Sequence, residues 1–280
     1  MLKLAAYHGR MILGFAAANK RLTVVCLTLV FVAGFVAHIP NEEIARKIGV
    51  EQTFADMLIS SVGSGNSFSA AWCIVPLVTQ GYLSHVFSQN YTENFVLRWR
   101  RRWLVGAGKI IDTLMVSIVA SLVLIASVAL ISYVRGCAVS NFSDAHSLLS
   151  YFAQEQVARE PDPVYLVMVM GAYTLLAVST VNQCYLLLNK FIGKDAAVIS
   201  ILLLVGYFQL YSGSGFQFVF GNAVIEMRDV WNPLSIIYAT GDVGYASWLD
   251  PSFHRLLPMF VVLAVLVLLN GLIPEKPRRN

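Results

Sequence analysis

The fold class predicted by the sequence is an all-α membrane protein. It has six transmembrane helices, an N-terminal interfacial helix, and a short re-entrant or surface helical element before the last span. Three observations predict it. The chain is 57% hydrophobic and only 13% charged, about half the charged fraction of an ordinary soluble domain. Its charges are segregated, leaving 22–41, 57–92, 113–134, 163–189, 196–225 and 256–274 without a Lys, Arg, Asp or Glu. The basic residues alternate between heavily and lightly loaded segments along the chain.

About 20 apolar residues are needed for a helix to cross the hydrocarbon layer, so each uncharged tract holds one span. The backbone finds no hydrogen-bond partner in lipid, and tracts this long are helices and not barrel strands. The expected spans are about 22–39, 67–88, 113–134, 164–188, 196–211 and 256–273, in a single transmembrane domain covering 1–280. Residues 1–19 mix Leu2, Leu4, Tyr7, Met11 and Phe15 with Lys3, His8 and Arg10, which suits a helix lying among the headgroups. The first apolar tract follows a 21-residue basic leader and carries Phe35 where cleavage would want a small side chain, so it is expected to be retained as a span. In the second tract, Ser60 to Ser67 is polar and Gly/Ser-rich, and is expected at the membrane edge. A second break, Ser212-Gly213-Ser214-Gly215, separates the fifth span from Phe216–Ile225. That remainder is too short to cross and too apolar for a loop, so it is expected to be a re-entrant or surface helix.

Segments 1–21, 89–112, 190–195 and 274–280 carry 14 of the 20 Lys/Arg, and the alternate segments carry 12 of the 16 Asp/Glu. The positive-inside rule then puts both termini in the cytoplasm of a cell-membrane protein. The net charge of +4 reflects that topology, and no nucleic-acid partner is implied. Cys26, Cys73 and Cys184 fall in spans and Cys137 stands alone outside them, so no intrachain disulfide is expected.

The most informative cytoplasmic stretch runs from Asn90 to Trp103. Phe95, Trp99 and Trp103 recur every four residues on one helical face, while Arg98, Arg101 and Arg102 gather on another, with Arg100 between. Asn90 and Glu93 have the spacing of an N-cap with its reciprocal acidic partner. The expectation is a short amphipathic helix with its aromatics in the headgroups. An ordinary positive-inside anchor with an aromatic belt has the same composition.

Other chemistries find little support. Gly106-Ala107-Gly108-Lys109-Ile110 lacks the spacing and hydroxyl of a phosphate-binding loop, so nucleotide would have to be bound by another subunit. No catalytic residue, metal-ligand cluster or cofactor site is expected. Ser214 and His85 belong to opposite membrane edges, too far apart for a nucleophile–base pair. Asp112 is expected at headgroup level, at the inner edge of the third span. Asn182 and Gln183 are expected to act as interhelical glue. With no ionisable residue in the middle third of a span, a proton- or ion-coupled carrier is disfavoured.

In order and spacing, these pieces resemble the permease subunit of a type-2 ABC exporter. The leader 1–19 resembles that family's elbow helix. Glu93 through Arg102, followed by Gly108-Lys109, resembles its coupling segment, and Asn189 to Lys194 its short turn between the fourth and fifth spans. Val230-Trp231-Asn232-Pro233, after the broken apolar stretch, resembles the element preceding the last span. The Arg98–Trp103 stretch is most similar to compact bacteriocin- and lantibiotic-immunity permeases. The resemblance implies a transport subunit that is not itself an enzyme, with Glu93, Phe95, Arg98, Trp99, Arg100, Arg101, Arg102, Trp103, Lys190 and Lys194 in ATPase coupling. It places Phe216, Phe218, Asn232 and Pro233 in an outer re-entrant element. It also implies ABC ATPase partners carrying ATP and Mg, a second permease chain, identical or related, and a peptide or other amphipathic substrate. A membrane-embedded structural or assembly partner is the alternative reading.

Overall fold

The computed structural model describes residues 2–37, 39–54, 56–58, 74–91, 102–139, 163–211, 217–220, 223–226 and 249–273. Each uncharged tract holds a helix, and two more helices among the described residues lie largely outside them. The helices are α1 (Leu2–Ala18), α2 (Lys20–Ala37), α3 (Ile39–Ile48), α4 (Val75–Asn90), α5 (Arg102–Arg135), α6 (Pro163–Ile192), α7 (Lys194–Tyr211) and α8 (Leu249–Leu272). Two stretches, Leu104–Arg135 and Gly171–Ile192, are long and apolar enough to cross a membrane. Leu4–Ala18 and Lys20–Val36 make a third if counted together, although they are bent by 100° at Asn19.

Burial runs in the sense expected of a membrane protein. Val24, Val25, Val32 and Phe35 of α2, and Phe260, Val261, Leu268 and Leu272 of α8, are exposed. Thr79, Thr113, Ser117, Ser121, Ser127, Thr174, Asn182, Gln183 and Asn270 are buried. Water would favour the reverse arrangement. Hydrocarbon accepts the apolar side chains and leaves polar ones to pair with one another.

The centre of the bundle is α6, which packs against α5, α7 and α8, while α2 packs along α5. The main core joins Val30 and Ala33 of α2, Leu124 and Val128 of α5, Tyr173, Ala177, Val178 and Tyr185 of α6, Ala197 and Ile201 of α7, and Met259 of α8. Close approach of α2 to α5 depends on Gly34, because a Cβ there would run into Ser127 Oγ and come within 3.1 Å of Leu124. Gly193, at φ +84°, turns α6 into α7, a left-handed conformation that glycine adopts without a Cβ clash.

At the other end of the bundle α3 follows α2 directly. It is polar and carries the i,i+4 pairs Glu42–Arg46 and Glu43–Lys47. Arg135, at the end of α5, reaches Glu42 at 2.9 Å. Thr53 and Asp56 form a reciprocal cap, in which the Thr53 N–H and hydroxyl both donate to Asp56 and the Asp56 N–H donates back to the Thr53 hydroxyl. Burial pushes the Asp56 carboxyl above its usual range, and the Thr53 bonds draw it partly back.

Three expectations are corrected. The stretch expected as a re-entrant or surface helix contains β1 (Gln217–Phe220) and β2 (Ala223–Glu226), an antiparallel hairpin with Phe218 opposite Ile225. The physical reason is local. Val219, Val224 and Ile225 are β-branched, and Gly221-Asn222 between the strands is a pair favoured in two-residue hairpin loops. Phe218 therefore belongs to a strand, and the other regular elements among the described residues are helices. Asn90 is not an N-cap but the last residue of α4, followed by Tyr91, whose N–H bonds back to the Phe87 carbonyl. Arg102 and Trp103 begin a 34-residue helix, about 50 Å long, which overruns the roughly 30 Å hydrocarbon layer. Glu93, Phe95, Arg98, Trp99, Arg100, Arg101, Phe216, Asn232 and Pro233 lie outside the described residues.

Candidate functional site

Where α1, the end of α4 and the first turns of α5 meet, three side chains distant in sequence converge on one buried carboxylate. Asp112 lies ten residues into α5, and its side chain is inaccessible. Its burial is supported by two partners, one on each oxygen. His8 Nδ1 is 2.9 Å from Oδ1, across 104 residues of sequence. The Tyr91 hydroxyl donates to Oδ2 at 2.6 Å. Since a carboxylate only accepts, the imidazole nitrogen facing it carries hydrogen. The Tyr91 hydroxyl also lies 3.5 Å from His8 Nδ1.

Glycine makes the convergence possible. A Cβ on Gly108 would overlap the His8 ring, coming within 2.8 Å of Nε2 and 2.9 Å of the Tyr91 hydroxyl. Lys109, next along, holds its ammonium 5.4 Å from the Phe87 ring centroid and 5.3 Å from that of Tyr91, a cation–π arrangement. The Tyr7 ring meets His8 edge-on. Farther along α1, Phe15 packs edge-on against Tyr82 in a small apolar cluster with Leu83, Val86 and Val116. At the bend, Asn19 donates to Gln89 at 3.2 Å.

A polar seam continues between the helices. Asn182 of α6 donates to Thr79 of α4 and Ser117 of α5, each at 2.9 Å, tying three helices at one point. One residue on, Gln183 accepts from the Asn270 amide of α8 on both its backbone and side-chain carbonyls, and donates to the Ile110 carbonyl of α5. Both residues therefore bond across helices, as read from the sequence. Bonds of this type contribute about 0.6 kcal/mol on average and up to about 1.7 in a membrane helix bundle. Replacing Asn182 by leucine removes both interhelical bonds, while the Thr79 and Ser117 hydroxyls keep carbonyls of their own helices, so a loss of roughly 1–2 kcal/mol is expected. The check is the unfolding midpoint in detergent titrated with denaturing surfactant.

Of the two lysines read as ATPase-coupling residues, Lys190 folds its ammonium onto the Asn270 and Ile273 carbonyls at the end of α8. Those carbonyls have no intrahelical donor, and a cation there also complements the helix dipole. Lys194 is the first residue of α7. Sequence reasoning missed the His8–Tyr91–Asp112 junction. The available signal was a charged residue inside a helix otherwise apolar enough to span.

No protein-family model, curated protein or solved structure matches the chain.

Proposed function

We propose that this chain is the permease subunit of an ATP-driven exporter, with six spans, both termini in the cytoplasm, and ATP and Mg bound by separate ATPase subunits. A peptide or another amphipathic molecule is the substrate class, and a second permease chain completes the pathway. The reading rests on the resemblance of the motifs and on one observation. Tyr91, the last described residue before the basic-aromatic stretch, bonds to Asp112 of α5 and approaches His8 of α1.

The stretch 92–101 joins α4, ending at Asn90, to α5, beginning at Arg102. Both helices and α1 are fastened together at its root. A force applied to those ten residues by a partner would be passed to three helices at once. That is what a coupling segment needs, because work done by a nucleotide-binding subunit reaches the pathway only through rigid connections.

The reading is tested by affinity purification of the tagged full chain from its native membranes. The expected result is co-purification of a protein with a phosphate-binding loop, together with vanadate-sensitive ATP turnover. Recovery of the chain at full yield with neither would overturn the proposal in favour of an assembly partner without transport activity.

A further inference from the structure

We propose that the outer face of α2 seats an anionic phospholipid, its phosphate held by Lys20 and Arg21 and an acyl chain lying along the apolar residues that follow. The inference needs only that the bundle be embedded in a bilayer, so it is independent of the exporter reading.

Residues four apart share a helical face, so Lys20 stacks with Val24 and Thr28, and Arg21 with Val25 and Leu29. Lys20, Arg21 and Thr28 are exposed, as are Val24, Val25, Leu29 and Val32. The opposite face, with Val30, Ala33 and Gly34, is the one packed into the bundle. One exposed strip therefore begins with two cations and continues as aliphatic surface, broken only by the Thr28 hydroxyl. From Arg21 to Val32 it rises about 16 Å, close to half of a hydrocarbon layer about 30 Å thick. The 100° bend at Asn19 carries α1 off the axis of α2, and the cations at the start of the strip stay exposed.

The charge of the occupant follows from what surrounds the two cations. The first 41 residues contain no Asp or Glu. Among the described residues neither Lys20 nor Arg21 meets a carboxylate. Asp112, in the neighbouring junction, is buried and engaged by His8 and Tyr91. Counter-charge is left to the surroundings, and where an apolar helix enters lipid those are the headgroups. An acidic protein surface would match the cations but not the aliphatic strip beyond them. A phospholipid carries a phosphate and then hydrocarbon, in the same order and to the same depth. A zwitterionic head brings its own cation beside the phosphate, so a net-anionic head is preferred.

The test is site-specific photo-crosslinking of the full chain in vesicles of phosphatidylcholine with phosphatidylglycerol as the minor lipid. A benzophenone side chain replaces Val25, and mass spectrometry gives the ratio of the two lipids captured. Attraction to anionic lipid is worth roughly fivefold per cation near the surface, so about 25-fold enrichment of phosphatidylglycerol over the bulk is expected. Lys20→Gln and Arg21→Gln should each lower it about fivefold, and together return it to the bulk ratio. Arg10→Gln, which removes an equal exposed charge from α1, should leave it unchanged. The same probe at Leu268 of α8, exposed and without a charged residue within a turn, should capture the bulk ratio. The bulk ratio at Val25, equal enrichment at Leu268, or an equal loss from Arg10→Gln would each overturn the proposal. So would capture of a protein in place of lipid by the Val25 probe in native membranes.

Discussion

Replacing Gly108 by alanine is expected to destabilise the protein by about 1–3 kcal/mol, the range for forcing an extra methyl group into a close-packed site. Helix propensity alone argues the opposite. Alanine is favoured over glycine by about 1 kcal/mol in a helix interior, and Gly108 lies within α5. The junction decides the outcome. The new methyl group would overlap the buried His8 ring and press on the Tyr91 hydroxyl, the two groups that satisfy Asp112. The measurement is the unfolding midpoint of Gly108→Ala in the native and His8→Ala backgrounds. With the ring gone, most of the clash goes too, and a coupling of roughly 2 kcal/mol between the two substitutions is expected. The same cost in both backgrounds would show that His8 is not what Gly108 accommodates.

Reversal of Arg98 and Arg101 to glutamate should release the ATPase expected to dock on the basic stretch. A charge pair broken at a protein interface costs about 2–5 kcal/mol, equivalent to roughly a 30- to 4,000-fold loss of affinity. Such a loss is enough to dissociate a modest complex. The comparison has to be made at matched membrane levels and at low salt, since surface electrostatics are screened within about 10 Å at ordinary ionic strength. If the stretch is only a positive-inside anchor, the double reversal would lower insertion or invert topology and leave any ATPase association intact. Undiminished co-purification and turnover would remove this stretch from the coupling role.

The helices were legible because their signal is local. A tract without charges is visible in a short window, and α2, α6, α7 and α8 begin or end within a few residues of the uncharged tracts. The short helix α3 left a signal too, in the i,i+4 spacing of Glu42 with Arg46 and Glu43 with Lys47, but its polarity hid it among loop residues. The hairpin was equally readable. Gly221-Asn222 between runs rich in Val, Phe and Ile is a turn signal, and it was overridden by the assumption that an apolar stretch near lipid is helical. The junction at Asp112 differs in kind. Its bond to His8 spans 104 residues, and no local pattern states which distant donor a carboxylate will meet. The seam lay between these extremes: Asn182 and Gln183 announced that they bond to something, while Thr79, Ser117 and Asn270 as partners required the packing.

The hairpin carries a restriction on where this part of the chain can reside. A ribbon of two strands pairs its amides along the inner edges only, and each outer edge presents a row of donors and acceptors. Among the described residues no third strand covers either row, since the sheet consists of β1 and β2. Hydrocarbon would leave those groups bare at a cost of several kcal/mol each, which is why open sheets do not occur against lipid tails. Strands β1 and β2 therefore belong in water, in the hydrated headgroup layer, or against other polypeptide, of this chain or of a partner. Apolar as the sequence of the two strands is, their backbone denies them direct contact with lipid tails.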